Sequence, residues 1–235
     1  MMRVFSEVRL VAPTRSASSL QRRMAAMVYL RSAMLSLRWF PERLEGDRTV
    51  LRRHSPANLE LFKRWYSDPE VVRLTRYQDG PMRPDEIERF FLSRVIGPDS
   101  LAFAIHVRAT GRLIGTCAFS QVDGDNGSAL FHITIGEKDC WGQGYGSEAT
   151  EIMLEHAFER LGLHRIALSV FAFNDRALRS YRGVGFAIEG RARDAIWRDG
   201  RYWDEIQMSI LEGDWRERRV LHSREADLEA RAVGG

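Results

Sequence analysis

Between Cys140 and Thr150 the chain reads CWGQGYGSEAT, with Gly142, Gly144 and Gly146 alternating with Gln143 and Tyr145. Glycine gives up more backbone freedom on folding than any other residue, so a cluster of it asks for a physical reason. A surface turn is one reading. The other is a loop whose bare amides approach an anion, because glycine admits positive φ and close backbone contact. The residues after Gly146 have helical periodicity. A helix N-terminus carries roughly half a positive charge and several unpaired N–H groups, so a phosphate or pyrophosphate placed there is stabilised. The spacing G-x-G-x-G-S matches neither the dinucleotide fingerprint G-x-G-x-x-G nor the P-loop G-x-x-x-x-G-K-[ST]. A nicotinamide-dependent oxidoreductase would need the former near the chain start, and the sequence does not show it.

The loop must be held by the elements around it. TVLRRH, from Thr49, reads as a first strand, and Ser55-Pro56 as a helix start with serine at the N-cap and proline at N1. Leu59, Phe62 and Tyr66 give that helix one apolar face. SDPE reads as a polar break and TRYQDGPMRP as a loop, before a second helix from Pro84 that carries Ile87, Phe90, Phe91 and Val95. Three strand-like stretches come next, 101–107, 112–122 and 128–135, joined by turns rich in Gly, Asn and Asp, which makes an antiparallel meander. After the glycines, Ala149, Ile152, Met153, Ala157 and Leu161 form a helical stripe that ends at Gly162. RIALSVFA (165–172) is apolar on both faces and suits a central strand, so strand, glycine loop, helix and strand form a βαβ crossover. A short helix from Asp175 to Arg182 and a hairpin turning at Asp199-Gly200 complete the pattern.

The 235 residues are 44% hydrophobic, enough for a proper core. A net charge of +3, with arginine and acid interleaved as in RRHSPANLELFKRWYSDPE, marks a solvated surface and speaks against nucleic acid as a partner. Cys117 and Cys140 are too few for a disulfide framework or a cysteine-held metal, and fit a reducing cytoplasm. No apolar run approaches the roughly 18 residues of a membrane span. Residues 1–45 stand apart: from Val8 to Pro41 there is no acid, and arginines are scattered among Ser, Ala and Met. That composition reads as a basic extension, loosely ordered or transit-like. The boundaries are therefore an N-terminal extension over 1–45, a domain over 46–211, and a charged tail over 212–235 that frays or lies on the surface as a helix.

The run FHITIGEKDCWGQGYGSEATEIMLEHAFERLGLHRIALSVFAFNDRALRSYRGVGF and the hairpin after it resemble the GNAT superfamily of acyl-coenzyme A dependent N-acyltransferases. Within that superfamily the run is similar to the branch of ribosomal-protein N-terminal alanine and spermidine acetyltransferases. The likeness spans about Arg48 to Leu211. It implies an α/β fold (α+β in some schemes): a mixed, mostly antiparallel central sheet with helices on both faces and a βαβ acyl-CoA binding core. Trp141, Gly144 and Gly146 occupy the fixed positions of the family's Q/R-x-x-G-x-G/A loop, with the polar first residue replaced. The resemblance implies that the amides of Trp141, Gly142, Gln143, Gly144, Tyr145, Gly146 and Ser147 cradle the pyrophosphate of acetyl-CoA, the cosubstrate. The backbone of Ile133 and Ile135 would then pair with the pantetheine arm at an opening in the sheet. Asn174 matches the asparagine that hydrogen-bonds the arm, and is equally placed to cap a helix. Tyr181 matches the tyrosine beside the sulfur, a neutral phenol able to protonate the departing thiolate.

Many relatives carry a glutamate on the strand before the loop, where this chain has Leu130, Phe131 and His132. His132 alternates away from its apolar neighbours and could act as a base through water; Asp204 or Glu205 on the last hairpin strand are the other candidates. The resemblance implies an amine substrate, either a small molecule or a protein N-terminus, no metal, and a homodimer as in many relatives. A non-catalytic acyl-CoA sensing module is the competing expectation.

Overall fold

In the computed structural model, residues 41–97 and 100–221 are described. The N-terminal extension up to residue 40 and the tail beyond residue 221 lie outside them. The strands are β1 (Arg43–Glu45), β2 (Thr49–Arg53), β3 (Leu101–Val107), β4 (Leu113–Asp123), β5 (Ser128–Ile135), β6 (Arg165–Phe171), β7 (Ala187–Arg198) and β8 (Arg201–Leu211). The helices are α1 (Leu59–Ser67), α2 (Pro69–Thr75), α3 (Pro84–Phe90), α4 (Tyr145–Glu155) and α5 (Asp175–Val184), with α6 over 212–221. No helix among the described residues is long and apolar enough to cross a membrane.

All eight strands form one sheet in the order β1-β2-β3-β4-β5-β6-β8-β7. Every pairing is antiparallel except β5 with β6, which is the expected βαβ crossover through α4. The hairpin between β7 and β8 turns at Asp199 and Gly200, both at positive φ (54° and 75°), the type I′ geometry that an Asp-Gly pair favours. One face of the sheet packs Ala102, Ala104 and Leu113 against Phe62, Trp65 and Tyr66 of α1, Val71 of α2, and Ile87 and Phe91 of the α3 segment. The alternate residues Phe103, Ile105, Cys117, Phe119 and Phe131 are also buried, and so are Ala149, Met153 and Leu154 of α4, which covers the other face.

Three helices follow β2, where the sequence pattern predicts two. SDPE is not only a break: Asp68 caps α2, its carboxylate accepting from Glu70 N–H at 2.9 Å, with Pro69 at N1. This is the same N-cap-then-proline signal as Ser55-Pro56, but a seven-residue helix is too short to show a period. β1 is likewise absent from the sequence pattern, and the start of the charged tail is a helix whose Trp215 is buried against Phe158 with ring centroids 5.3 Å apart.

The end of β5 is fixed with particular care. Glu137 accepts from the indole Nε1 of Trp65 at 2.7 Å, from Arg112 at 2.5 Å and from Arg64. Gly136 lies flat on the Trp65 ring, where a methyl group would overlap the indole. We expect Gly136→Ala to push α1 from the sheet and cost about 1–3 kcal/mol, the usual penalty of overpacking, as measured by urea denaturation.

His54 sits under the same helices, with Nε2 3.0 Å from Thr116 Oγ1, Nδ1 3.2 Å from Asn58 Oδ1, and Phe62 edge-on at 5.2 Å. Burial pushes its pKa from 6.5 down to about 4, against smaller hydrogen-bond effects that raise it. The unfolded chain therefore binds a proton that the folded chain refuses between those two values. Stability contributed by neutral His54 is complete above pH 6.5 and falls as the pH drops towards 4, by up to about 3 kcal/mol. His54→Gln should reduce the proton uptake on unfolding at pH 5 by close to one proton, measured from the pH dependence of the unfolding free energy.

Candidate active site

β5 and β6 are paired only at Ser128–Arg165, Ala129–Ile166 and Leu130–Ala167, although they run on to Ile135 and Phe171. Beyond Leu130 the strands part. Gly136 N–H donates to Ile114 O at 2.9 Å, so by the alternation of an antiparallel ladder residues 130, 132, 134 and 136 pair with β4. The N–H and C=O groups of Phe131, Ile133 and Ile135 then point into the opening. One of them is already engaged: the indole Nε1 of Trp141 donates to Ile135 O at 2.7 Å. Ile133 and Ile135 keep their side chains half-buried, so their backbone faces the slot while their side chains pack.

The opening leads to the glycine loop. Gly142 and Gly144 have φ of 72° and 86°, conformations costly for any L side chain. Gly144 is the N-cap of α4, so the amides of Tyr145, Gly146 and Ser147 form the free first turn of that helix. Gly146 is helical, and a methyl there would meet Ile135 at an ordinary 3.6 Å, so the protein's own packing does not demand glycine at this position. Arg48, which in the sequence only marks the start of the domain, latches the loop. Its Nη1 donates to Gln143 O at 2.8 Å, its guanidinium lies 4.5 Å over the Tyr145 ring, and its own N–H donates to Glu148 Oε1 at 2.7 Å. Gln143 reaches back to Asp139 O. Ser147 Oγ lies 2.8 Å from Ser180 Oγ, which ties α4 to α5. Arg176 of α5 stacks on the Trp141 ring at 3.8 Å, bringing a second guanidinium to the loop.

Asn174 is an N-cap: its Oδ1 accepts from Ala177 N–H at 3.2 Å, while Nδ2 makes a long 3.4 Å contact with Leu74 O. Tyr181, seven residues and about two helical turns further on, is half-buried against Phe186 with ring centroids 5.8 Å apart. Burial pushes its phenol up to about 12, which keeps it protonated at neutral pH.

His132 lies on the other face, the one covered by α1–α3, and its Nε2 is 2.6 Å from Ser120 Oγ. Desolvation of the imidazole lowers its pKa, so the ring is neutral at pH 7. The two acids of the last strand separate clearly. Asp204 is bound to β7, accepting from Arg191 at 2.8 Å and from Asp194 N–H at 2.9 Å. Glu205 points to the opposite face and accepts from the Tyr77 hydroxyl. Among the described residues there is no group of three or more His, Cys, Asp or Glu placed to hold a metal ion.

The arrangement fits acetyl-CoA: an unpaired strand edge for an extended amide-bearing arm, leading to a helix N-terminus for a pyrophosphate. Residues 48–187 match the family model described as acetyltransferase (GNAT) domain. The chain is 29% identical over 177 residues to the uncharacterized N-acetyltransferase p20 of Bacillus licheniformis, covering 74% of this chain and 98% of that protein. It is 24% identical over 157 residues to the spermidine N(1)-acetyltransferase of Escherichia coli, covering 66% and 76%. The fold is shared with the GNAT-family acetyltransferase structure from Bacillus anthracis, at a TM-score of 0.64 and 21% identity over 73% of this chain and 99% of that one. The chain is an acetyl-CoA-dependent acyltransferase and belongs to the acetyltransferase (GNAT) domain family.

Proposed function

We propose that the chain moves the acetyl group of acetyl-CoA to a primary amine, on a protein N-terminus, a polyamine or another small molecule, by direct attack of the amine on the thioester. The observation that carries this reading is the divergence of β5 and β6 directly upstream of the positive-φ glycine loop. In it, the amides of Trp141 to Ser147 take the pyrophosphate, and Ile133 and Ile135 offer backbone groups to the pantetheine arm. Asn174 exchanges its long contact with Leu74 O for the same arm. Tyr181 supplies the proton that the leaving thiolate needs. It suits that role because its hydroxyl has no charged partner among the described residues and stays protonated.

The amine must lose a proton before it attacks. For a lysine-like amine this costs about 4.6 kcal/mol at pH 7, and for an α-amino group only about 1–1.4. His132, neutral and paired with Ser120, could relay that proton through water on the amine side of the sheet.

Tyr181→Phe should lower kcat by about 100-fold in a coenzyme A release assay, while the acetyl-CoA dissociation constant stays within about twofold. Loss of binding along with turnover would make Tyr181 a packing residue instead. Gly144→Ala should do the reverse. A side chain at φ of 86° costs about 1–2 kcal/mol, and its methyl would meet Arg48 Nη1 at 3.4 Å, so acetyl-CoA binding should weaken roughly tenfold by calorimetry.

A further inference from the structure

The face of the sheet away from α4 and α5 has a charge pattern that limits what amine can be used there. Where β5 and β6 part, the α2–α3 loop and the β7–β8 hairpin close over the same side. Arg198, 1% exposed, donates to Asp79 and to Arg76 O at 2.8 Å. Arg73 pairs with Asp199, while on the opposite face of β8 Arg191 pairs with Asp204. Asp79 and Asp199, two carboxylates of this mouth, are thus neutralised by arginine. Glu205 is not: its partner is the neutral hydroxyl of Tyr77, and it forms no ion pair with any described residue.

Register places Glu205 at the opening. Leu130 pairs with Ala167, so four residues on Thr134 and Phe171 are counterparts across the gap, and Phe171 pairs with Glu205 on β8. The carboxylate therefore stands one strand beyond the rim of the slot, a spacing of about 4.8 Å. Tyr77 also packs edge-on against Phe171 at 5.4 Å, so the loop residue that holds Glu205 is itself seated on the rim. Facing Glu205 are Tyr77 from the loop, Phe171 from β6 and Ala192 from β7. The charged groups Arg191 and Arg193 of β7 act on Asp204 instead. The aromatic surfaces further along are already covered by cations, Phe173 by Arg73 and Trp203 by Arg201.

Resting on the acetyl-transfer reading above, we infer that Glu205 receives the ammonium group of the substrate and takes its proton, and that Tyr77 positions it. With one uncompensated carboxylate, the site accepts a primary amine bearing a single positive charge and not a polyamine, whose further ammonium groups would find only carboxylates already paired with arginine. The protons balance. Glu205 removes one proton from the ammonium, directly or through one water, and passes it to solvent. The free amine forms the C–N bond, the C–S bond breaks, and the proton lost by the nitrogen on collapse makes good the one that Tyr181 gives to sulfur. The products are the acetamide, the thiol and one released proton.

The test uses the full chain with alaninamide, butylamine and spermidine, assayed by coenzyme A release from pH 6.5 to 9.5. Glu205→Gln should lower kcat/KM for alaninamide by roughly 100-fold at pH 6.5, and by less than about threefold at pH 9.5, where the α-amine is already neutral. Acetyl-CoA affinity and melting temperature should not change. Tyr77→Phe should raise KM for the amine several-fold with kcat within about twofold. The wild type should prefer both one-charge amines to spermidine. A loss in Glu205→Gln that is constant with pH, or no loss, overturns the assignment of Glu205, and a preference for spermidine overturns the one-charge class. A wild type that fails to bind acetyl-CoA, or binds it and acetylates none of the three, overturns the acetyl-transfer reading itself.

Discussion

The whole architecture turns on two strands that stop pairing. After Leu130 and Ala167 the central sheet gives up its hydrogen bonds between β5 and β6, although both strands continue. Unpaired backbone groups in a protein interior are costly, and a sheet closes such a gap unless each side is held from outside. On one side the end of β5 is clamped by Trp65, Arg64 and Arg112 on Glu137, with Gly136 against the indole. On the other, β6 follows β8 over its full length, from Arg165–Leu211 to Phe171–Glu205. The slot is the space between two well-anchored half-sheets.

The faces of that slot are electrically different. On the α4 and α5 side the loop presents backbone amides, a helix N-terminus and the guanidinium group of Arg48, all suited to an anion. On the α1–α3 side arginines are spent on Asp79 and Asp199, and Glu205 stands there without a cationic partner among the described residues. In the proposed reaction an anionic coenzyme and a cationic amine are thereby sorted to opposite faces of one sheet, with the thioester reached through the gap.

Much of this was legible in the sequence, where a backbone demand or a period wrote it. The alternating glycines marked a loop free to take the positive φ seen at Gly142 and Gly144; Asp199-Gly200 marked the hairpin turn; the stripe from Ala149 to Leu161 marked the helix that follows. The expectation for Asn174 as a cap was met by the hydrogen bond to Ala177. Short elements escaped because they hold too few residues for a period: β1 has three and α2 seven. Trp215 escaped because a single buried aromatic in a charged tail carries no pattern. The latch of Arg48 and the pairing of Tyr77 with Glu205, 128 positions away, escaped for another reason. They are consequences of strand register and loop closure, which local composition does not encode; Asp204 and Glu205 look alike in sequence, and only alternation along β8 separates them.

Amide hydrogen exchange with and without acetyl-CoA tests the central claim most directly, since the claim is that backbone groups left unpaired by the sheet are those the coenzyme fills. Protection should appear in residues 133–135 and 141–147, with little change along β3 or the β7–β8 turn. Binding that leaves the exchange of these two segments unaltered would contradict the account, and would place the coenzyme elsewhere on the fold.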